Sequence, residues 1–178
     1  MKLLSLMLGL CLMTPALVHA QGAAAANPVT TSMREIYDRQ SKWIAEAAKE
    51  MPADKYSYHP TADQWSFGKI VAHVVQANYG VCAMISDTPA PQGVKVADSD
   101  PKDKLTPALD ASFDFCASAM GKLQDSKMGD PITFFRGRKT VRARAAIELT
   151  DDLEDHYSQM ASYLRLNGMQ PPSAQPPK

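Results

Sequence analysis

The sequence predicts an all-α protein built as a four-helix bundle. Three observations carry that reading. Four segments repeat apolar residues at steps of three and four, the spacing that lines one side of a helix. Breaks rich in proline, glycine and aspartate separate them. The β-prone run Ile132-Thr133-Phe134-Phe135 has room for one extended segment or a tiny hairpin, too little for a sheet-based domain. Helices that each bury one stripe, with no sheet to cover, must cover one another.

The first predicted helix opens at a capping box, Ser32-x-x-Glu35, which satisfies two amide donors that helix geometry leaves unpaired. Ile36, Trp43, Ile44 and Ala47 follow at helical spacing, and Pro52 stops the run. Residues 52–65 form a connector that Pro52 and Pro60 keep from being helical. Its aromatics Tyr56, Tyr58 and Trp65 are expected to pin the loop to the domain, with a pocket mouth as their other role. The second helix starts at a Ser66 cap and carries Ile70, His73, Val74, Ala77, Val81 and Met84 on one side. It breaks at Asp87-Thr88-Pro89, and residues 88–101 make a loop long enough to cross the bundle.

The third helix is expected over 107–124, with Thr106 as cap and Pro107 at its first position. Leu109, Phe113, Cys116, Met120 and Leu123 form its seam. The fourth, over 140–167, takes Thr140 as cap and Leu153, Tyr157, Met160 and Leu164 as stripe. Gly168 stops it, with Pro171-Pro172 beyond. Met84, Met120 and Met160 read as core filler.

The ends of the 178-residue chain differ from its middle. Lys2, the apolar run Leu3 to Met13 and Val18-His19-Ala20 have the layout of a secretory signal cleaved after Ala20. The run is too short to span a bilayer, and no second one follows, so no membrane span is expected. The resulting division is a signal peptide at 1–20, a flexible arm at 21–29, the bundle at 30–169 and a disordered Pro-rich tail at 170–178. The expected location is periplasmic or secreted. Export favours a disulfide between Cys82 and Cys116 over two separate buried thiols, worth about 3.5–4 kcal/mol on the chain-entropy model.

Nineteen basic residues balance nineteen acidic ones, which argues against a nucleic-acid partner. The run from Arg136 to Arg144 is locally basic. Arg136, Arg138 and Arg142 form a weak anion-binding candidate there, set against an ordinary solvated face.

A polar line runs beside the apolar stripe of the fourth helix: Leu149, Asp152, His156, Gln159, Tyr163 and Leu166. Asp152 and His156 stand one turn apart and reach toward one point. If the second and fourth helices are neighbours, His73 joins them. Two imidazoles and a carboxylate make a first shell for a divalent transition metal, with Gln159 or Tyr163 behind it. The alternative is a core histidine satisfied by Asp152 or a backbone carbonyl.

Ser66-Phe67-Gly68-Lys69-Ile70-Val71-Ala72-His73-Val74, the block Leu109 to Cys116, and the closing run from Asp155 to Pro172 resemble the DinB-like proteins. These belong to the DinB/YfiT-like superfamily of candidate metalloenzymes, here in an exported branch, and the resemblance covers about residues 30–172. It implies a four-helix bundle with three inward histidines around a divalent metal, often zinc or nickel. The histidine of the second helix matches His73. Of two histidines four apart on the last helix, the second matches His156, and the first falls on Asp152. Some relatives are thiol-dependent S-transferases or isomerases. Three readings therefore stay open: a metal-binding protein or metalloenzyme acting on an unnamed small molecule, a non-catalytic binding or structural bundle whose metal site is degenerate and empty, and a thiol-dependent S-transferase. A homo-oligomer is compatible with each.

Overall fold

A computed structural model describes residues 26–176. The expected signal peptide, most of the expected arm, and residues 177–178 lie outside the described residues. Four helices dominate: α1 Pro28–Glu50, α2 Phe67–Ser86, α3 Lys102–Gly121 and α4 Arg142–Leu166. A hairpin of β1 Pro131–Thr133 and β2 Lys139–Val141 stands between α3 and α4, antiparallel, with Ile132 opposite Thr140. None of the described helices is long and apolar enough to cross a membrane.

The helices form a ring in which α1 packs on α3 and α4, and α2 packs on the same two. The pairs α1–α2 and α3–α4 thus lie across the diagonals. The crossing over the bundle is made by residues 51–66 and by the hairpin segment, whereas the long loop expected to cross joins the neighbours α2 and α3. Tyr56 secures the first crossing. Its hydroxyl donates to the Ala48 carbonyl at 2.6 Å, and its ring meets Phe67 edge-on. Gly68 accepts this close approach, since a Cβ there would sit 3.1 Å from the Tyr56 carbonyl oxygen.

Several helix boundaries depart from the sequence reading. α1 begins at Pro28, inside the expected arm, and Ser32 is an interior residue whose hydroxyl donates to the Pro28 carbonyl at 2.9 Å. The cap comes from far away. The Asp125 carboxylate accepts from the Val29 and Thr30 amides at 3.0 and 2.8 Å, and the Asn27 side chain accepts from the Asp125 amide at 2.9 Å. At the other end, Lys102 Nζ donates to the Lys49 and Met51 carbonyls.

α3 starts at Lys102, so Pro107 lies inside the helix instead of opening it. The hydrogen bond its ring forfeits would have gone to Asp103, and both residues are exposed, so the loss falls on the solvent side of the helix. Thr140 pairs in β2 and does not cap α4, whose N-cap position is Val141. Ser66 does cap α2, accepting from the Lys69 amide at 3.2 Å. Gly168 (φ 77°) ends α4: the Gly168 amide donates to Arg165 and the Met169 amide to Leu164.

The expected disordered tail instead folds back on α1 through residue 175. Pro171 and Pro172 are buried. The Ser173 amide donates to the Tyr157 hydroxyl at 2.8 Å, Gln175 donates to Glu50, and Trp43 stacks on Tyr157 beneath them. The core contains the predicted seam residues Leu109, Cys116 and Met120 of α3, and Leu153, Met160 and Leu164 of α4. Cys82 and Cys116 are fully buried with Cα atoms 5.2 Å apart, within disulfide range.

Candidate metal centre

α2 and α4 are neighbours, and the three polar residues meet between them. His73, Asp152 and His156 each offer one ligand atom, and these atoms lie within 4.8 Å of one another. His73 Nε2 stands 3.5 Å from Asp152 Oδ1, and His156 Nε2 stands 3.4 Å from the same oxygen. The imidazole centroids are 4.7 Å apart. His156 is buried, whereas His73 and Asp152 are about one-third exposed, so the cluster opens to one side.

Burial pushes the Asp152 carboxyl up, but the two imidazoles, by hydrogen bonding and charge, outweigh it and hold the group well below the usual carboxylate range. Burial pushes His156 down, and Asp152, aided by Asp155, more than reverses that.

The donors fit a divalent ion. Separations of 3.4–3.5 Å are long for charge-assisted hydrogen bonds, which run near 2.8 Å. They match the ligand-to-ligand edge, about 3.4 Å, of a tetrahedral centre with bonds near 2.1 Å. Asp152 Oδ2 and His156 Nδ1 are also buried without a hydrogen-bond partner among the described residues. Unpartnered buried polar atoms carry a free-energy cost that a bound ion or water would remove.

The two expected supporting residues act at one remove. Gln159 donates to Asp155 Oδ2 at 2.7 Å, and that carboxylate lies 4.0 Å from His156 Nδ1. Tyr163 touches neither imidazole in a hydrogen bond. Its hydroxyl donates to the Trp65 carbonyl at 2.9 Å, and so fixes the residue that covers the cluster. The Trp65 ring stacks on His156 at 5.8 Å and tilts against His73 at 5.2 Å. Trp65 thus pins its loop to the domain, as expected, and the surface it packs on is the histidine cluster. The signal was its position immediately before the Ser66 cap, from which a side chain folds back along α2 toward His73.

The basic trio does not form one anion site. Arg142 is buried and donates to the Ile85 carbonyl and, at 2.9 Å, to Asp87, closing the end of α2. Arg138 pairs with Glu148 at 2.7 Å. Arg136 instead lines a cavity of about 700 Å³ that reaches His73 and Asp152. Its other walls are Gln76, Ala77, Val81, Phe134, Phe135, Glu148 and Leu149. Phe134 and Phe135 read in the sequence only as strand formers; their pairing with a cavity depends on where the hairpin lands. His59 is exposed in its loop and is not one of the clustered residues.

The model of the DinB superfamily matches residues 36–160, more than half of the chain. The chain belongs to the DinB superfamily. Solved structures agree on the fold. A DinB-like protein from Bacillus cereus ATCC 10987 is 14% identical with a TM-score of 0.66, covering 80% of this chain and 95% of its own. One from Bacillus subtilis is 16% identical with a TM-score of 0.64, covering 78% and 93%. A mycothiol-dependent maleylpyruvate isomerase is 11% identical with a TM-score of 0.60, covering 74% of this chain and 60% of the isomerase. No curated protein matches the chain.

Proposed function

We propose that this DinB-superfamily chain is an exported metal-dependent protein that holds a divalent transition ion, zinc or nickel, between α2 and α4 through His73, Asp152 and His156. The observation that supports the reading is the convergence of these donors from two helices, with Asp152 Oδ2 buried and unpartnered. The sequence layout of residues 1–20 and the cysteine pair at disulfide distance support export. A bound ion would supply Lewis acidity to a small molecule in the adjoining cavity.

The chain's own residues do the rest. Asp152 stays ionised and offers its charge to the ion. Trp65, fixed by Tyr163, shields the imidazoles from water on one side and leaves the cavity side open. Asp155, held by Gln159, lies 4.0 Å from the outer nitrogen of His156 and places negative charge behind that ring. Two imidazoles and one carboxylate leave coordination positions free, which is what a catalytic site requires.

A second reading rests on the same contacts. Asp152 bridges both imidazoles, so the cluster partly satisfies itself and would serve as a structural pin in a bundle whose metal site is degenerate. A third, thiol-dependent S-transfer, draws on the isomerase likeness; an oxidising compartment disfavours it because its thiol co-substrate must stay reduced.

Metal analysis of the purified protein after exposure to zinc, nickel or ferrous ion separates the first two readings. One ion per chain in the wild type, lost in both His73→Ala and His156→Ala, is the expected result. A wild type that takes up no ion, with both variants folded, would leave the structural pin.

A further inference from the structure

The β1–β2 hairpin turns at Phe135–Arg138, where Arg136 (φ 57°, ψ 29°) and Gly137 (φ 76°) both adopt the left-handed region and the Arg138 amide donates to the Phe135 carbonyl. A two-residue turn of this kind favours asparagine, aspartate or glycine at its first central position. Arginine stands there against local preference, and departures of that sort gather where a side chain is needed for something else.

The other arginines of the run are engaged. Arg138 and Arg144 each take one oxygen of Glu148, both at 2.7 Å, and Arg142 is committed to α2. Arg136 is exposed and has no carboxylate within 4.0 Å among the described residues, yet it lines the cavity beside the cluster. Of the two acids of that cavity, Glu148 is held by two arginines, and Asp152 turns Oδ1 to both imidazoles while its Oδ2 is buried. The uncommitted charge on the cavity wall is therefore positive, and it faces an apolar surface of Val81, Phe135 and Leu149.

We infer that this cavity takes a small monocarboxylate with an apolar body, its carboxylate held by the Arg136 guanidinium and its far end turned toward the His73–Asp152–His156 cluster. One planar guanidinium matches a carboxylate in a paired, two-point contact. A phosphate dianion would call for more than one free cation beside Glu148. The inference deepens the proposed metal function by naming a ligand class, and rests on it only for what happens at the far end.

The test compares 4-phenylbutyrate with the neutral 4-phenylbutyramide, titrated by NMR into the purified protein with and without zinc. The wild type should bind the carboxylate about two- to fivefold more tightly than the amide, as expected for an exposed ion pair. Arg136→Asn keeps the turn, because asparagine tolerates positive φ, and should erase the contrast with the melting temperature unchanged; Arg136→Lys should retain most of it. Equal affinities in the wild type, undetectable binding of both probes included, would overturn the inference, as would a contrast that survives Arg136→Asn. Because the contrast is read without zinc as well, failure of the metal reading leaves it standing, and its own failure leaves metal uptake untouched.

Discussion

Helix α2 presents two different faces to its two neighbours. Toward α3 it offers Asn78 and Cys82, both fully buried. Asn78 donates to Ser112 at 2.9 Å, Cys82 meets Cys116, and Tyr79 leans on Phe115. Toward α4 it offers His73, Ala77 and Val81, one turn apart along a row that lines the cavity. The first seam is closed with neutral groups. The second opens at a titratable cluster beside a cavity, and its unpartnered buried atoms, Asp152 Oδ2 and His156 Nδ1, belong to ionisable groups, whereas the one in the first seam, Asn78 Oδ1, is a neutral amide oxygen. One helix therefore serves as ballast on one side and as the wall of a site on the other. The difference comes from side-chain size and charge at positions that share the same helical period.

If the closed seam holds the fold and the open one holds the chemistry, the two should separate under substitution. The largest expected effect is on the closed side. With the cysteines joined, replacing both Cys82 and Cys116 by alanine should lower unfolding stability by about 3.5–4 kcal/mol, read by urea denaturation. Zinc uptake by the folded variant should be unchanged; a matching loss of uptake would mean that the seams are not independent. Next is the strut that ties the start of α4 to the end of α2. Arg142→Ala removes charged hydrogen bonds to Ile85 and Asp87 and should cost about 1.5–3 kcal/mol.

A smaller effect reports on the open seam alone. The depressed pKa of Asp152 adds stability above the unfolded carboxyl value near 3.9, lost as pH falls through the folded value. The raised pKa of His156 adds stability below the unfolded imidazole value near 6.5, lost as pH rises through the folded value. The melting difference between metal-free wild type and Asp152→Asn should therefore be largest between about pH 4 and 6.5 and shrink on both sides. A difference flat across pH would show that the cluster is not coupled as drawn. The smallest effect is expected from Gly80→Ala. The added Cβ would lie 3.0 Å from the ring edge of Phe135, which is half-exposed and free to swing away. Stability should rise by no more than about 0.5–1 kcal/mol, the helix-interior gain of alanine over glycine, while 4-phenylbutyrate affinity shifts as the cavity wall moves.

Much of the site was legible because its information is local. Asp152 and His156 share a face by their spacing, and His73 sits on the apolar side of its own helix, so the meeting required only that α2 and α4 be neighbours. Phe134 and Phe135 were legible as aromatics but not as site residues, and Trp65 not as the cover of the histidines, because their positions depend on crossings that no helical period records. The capping of α1 was misplaced for the same kind of reason. Ser32 carries the local signal, but Asp125, 96 residues from Val29, supplies stronger acceptors, and the helix extends to meet them. The tail read as disordered from its composition, yet two prolines and a tyrosine hydroxyl give it a surface to rest on.

By itself the sequence determined the four helices, their buried stripes and the chemical character of the residues that line them, because helical periodicity needs only neighbours within a turn or two. Tertiary structure alone decided which helices adjoin, which arginine faces the cavity and which aromatic covers the imidazoles. Those outcomes depend on contacts between residues tens of positions apart, whose free energy exists only once the chain has closed the loops between them.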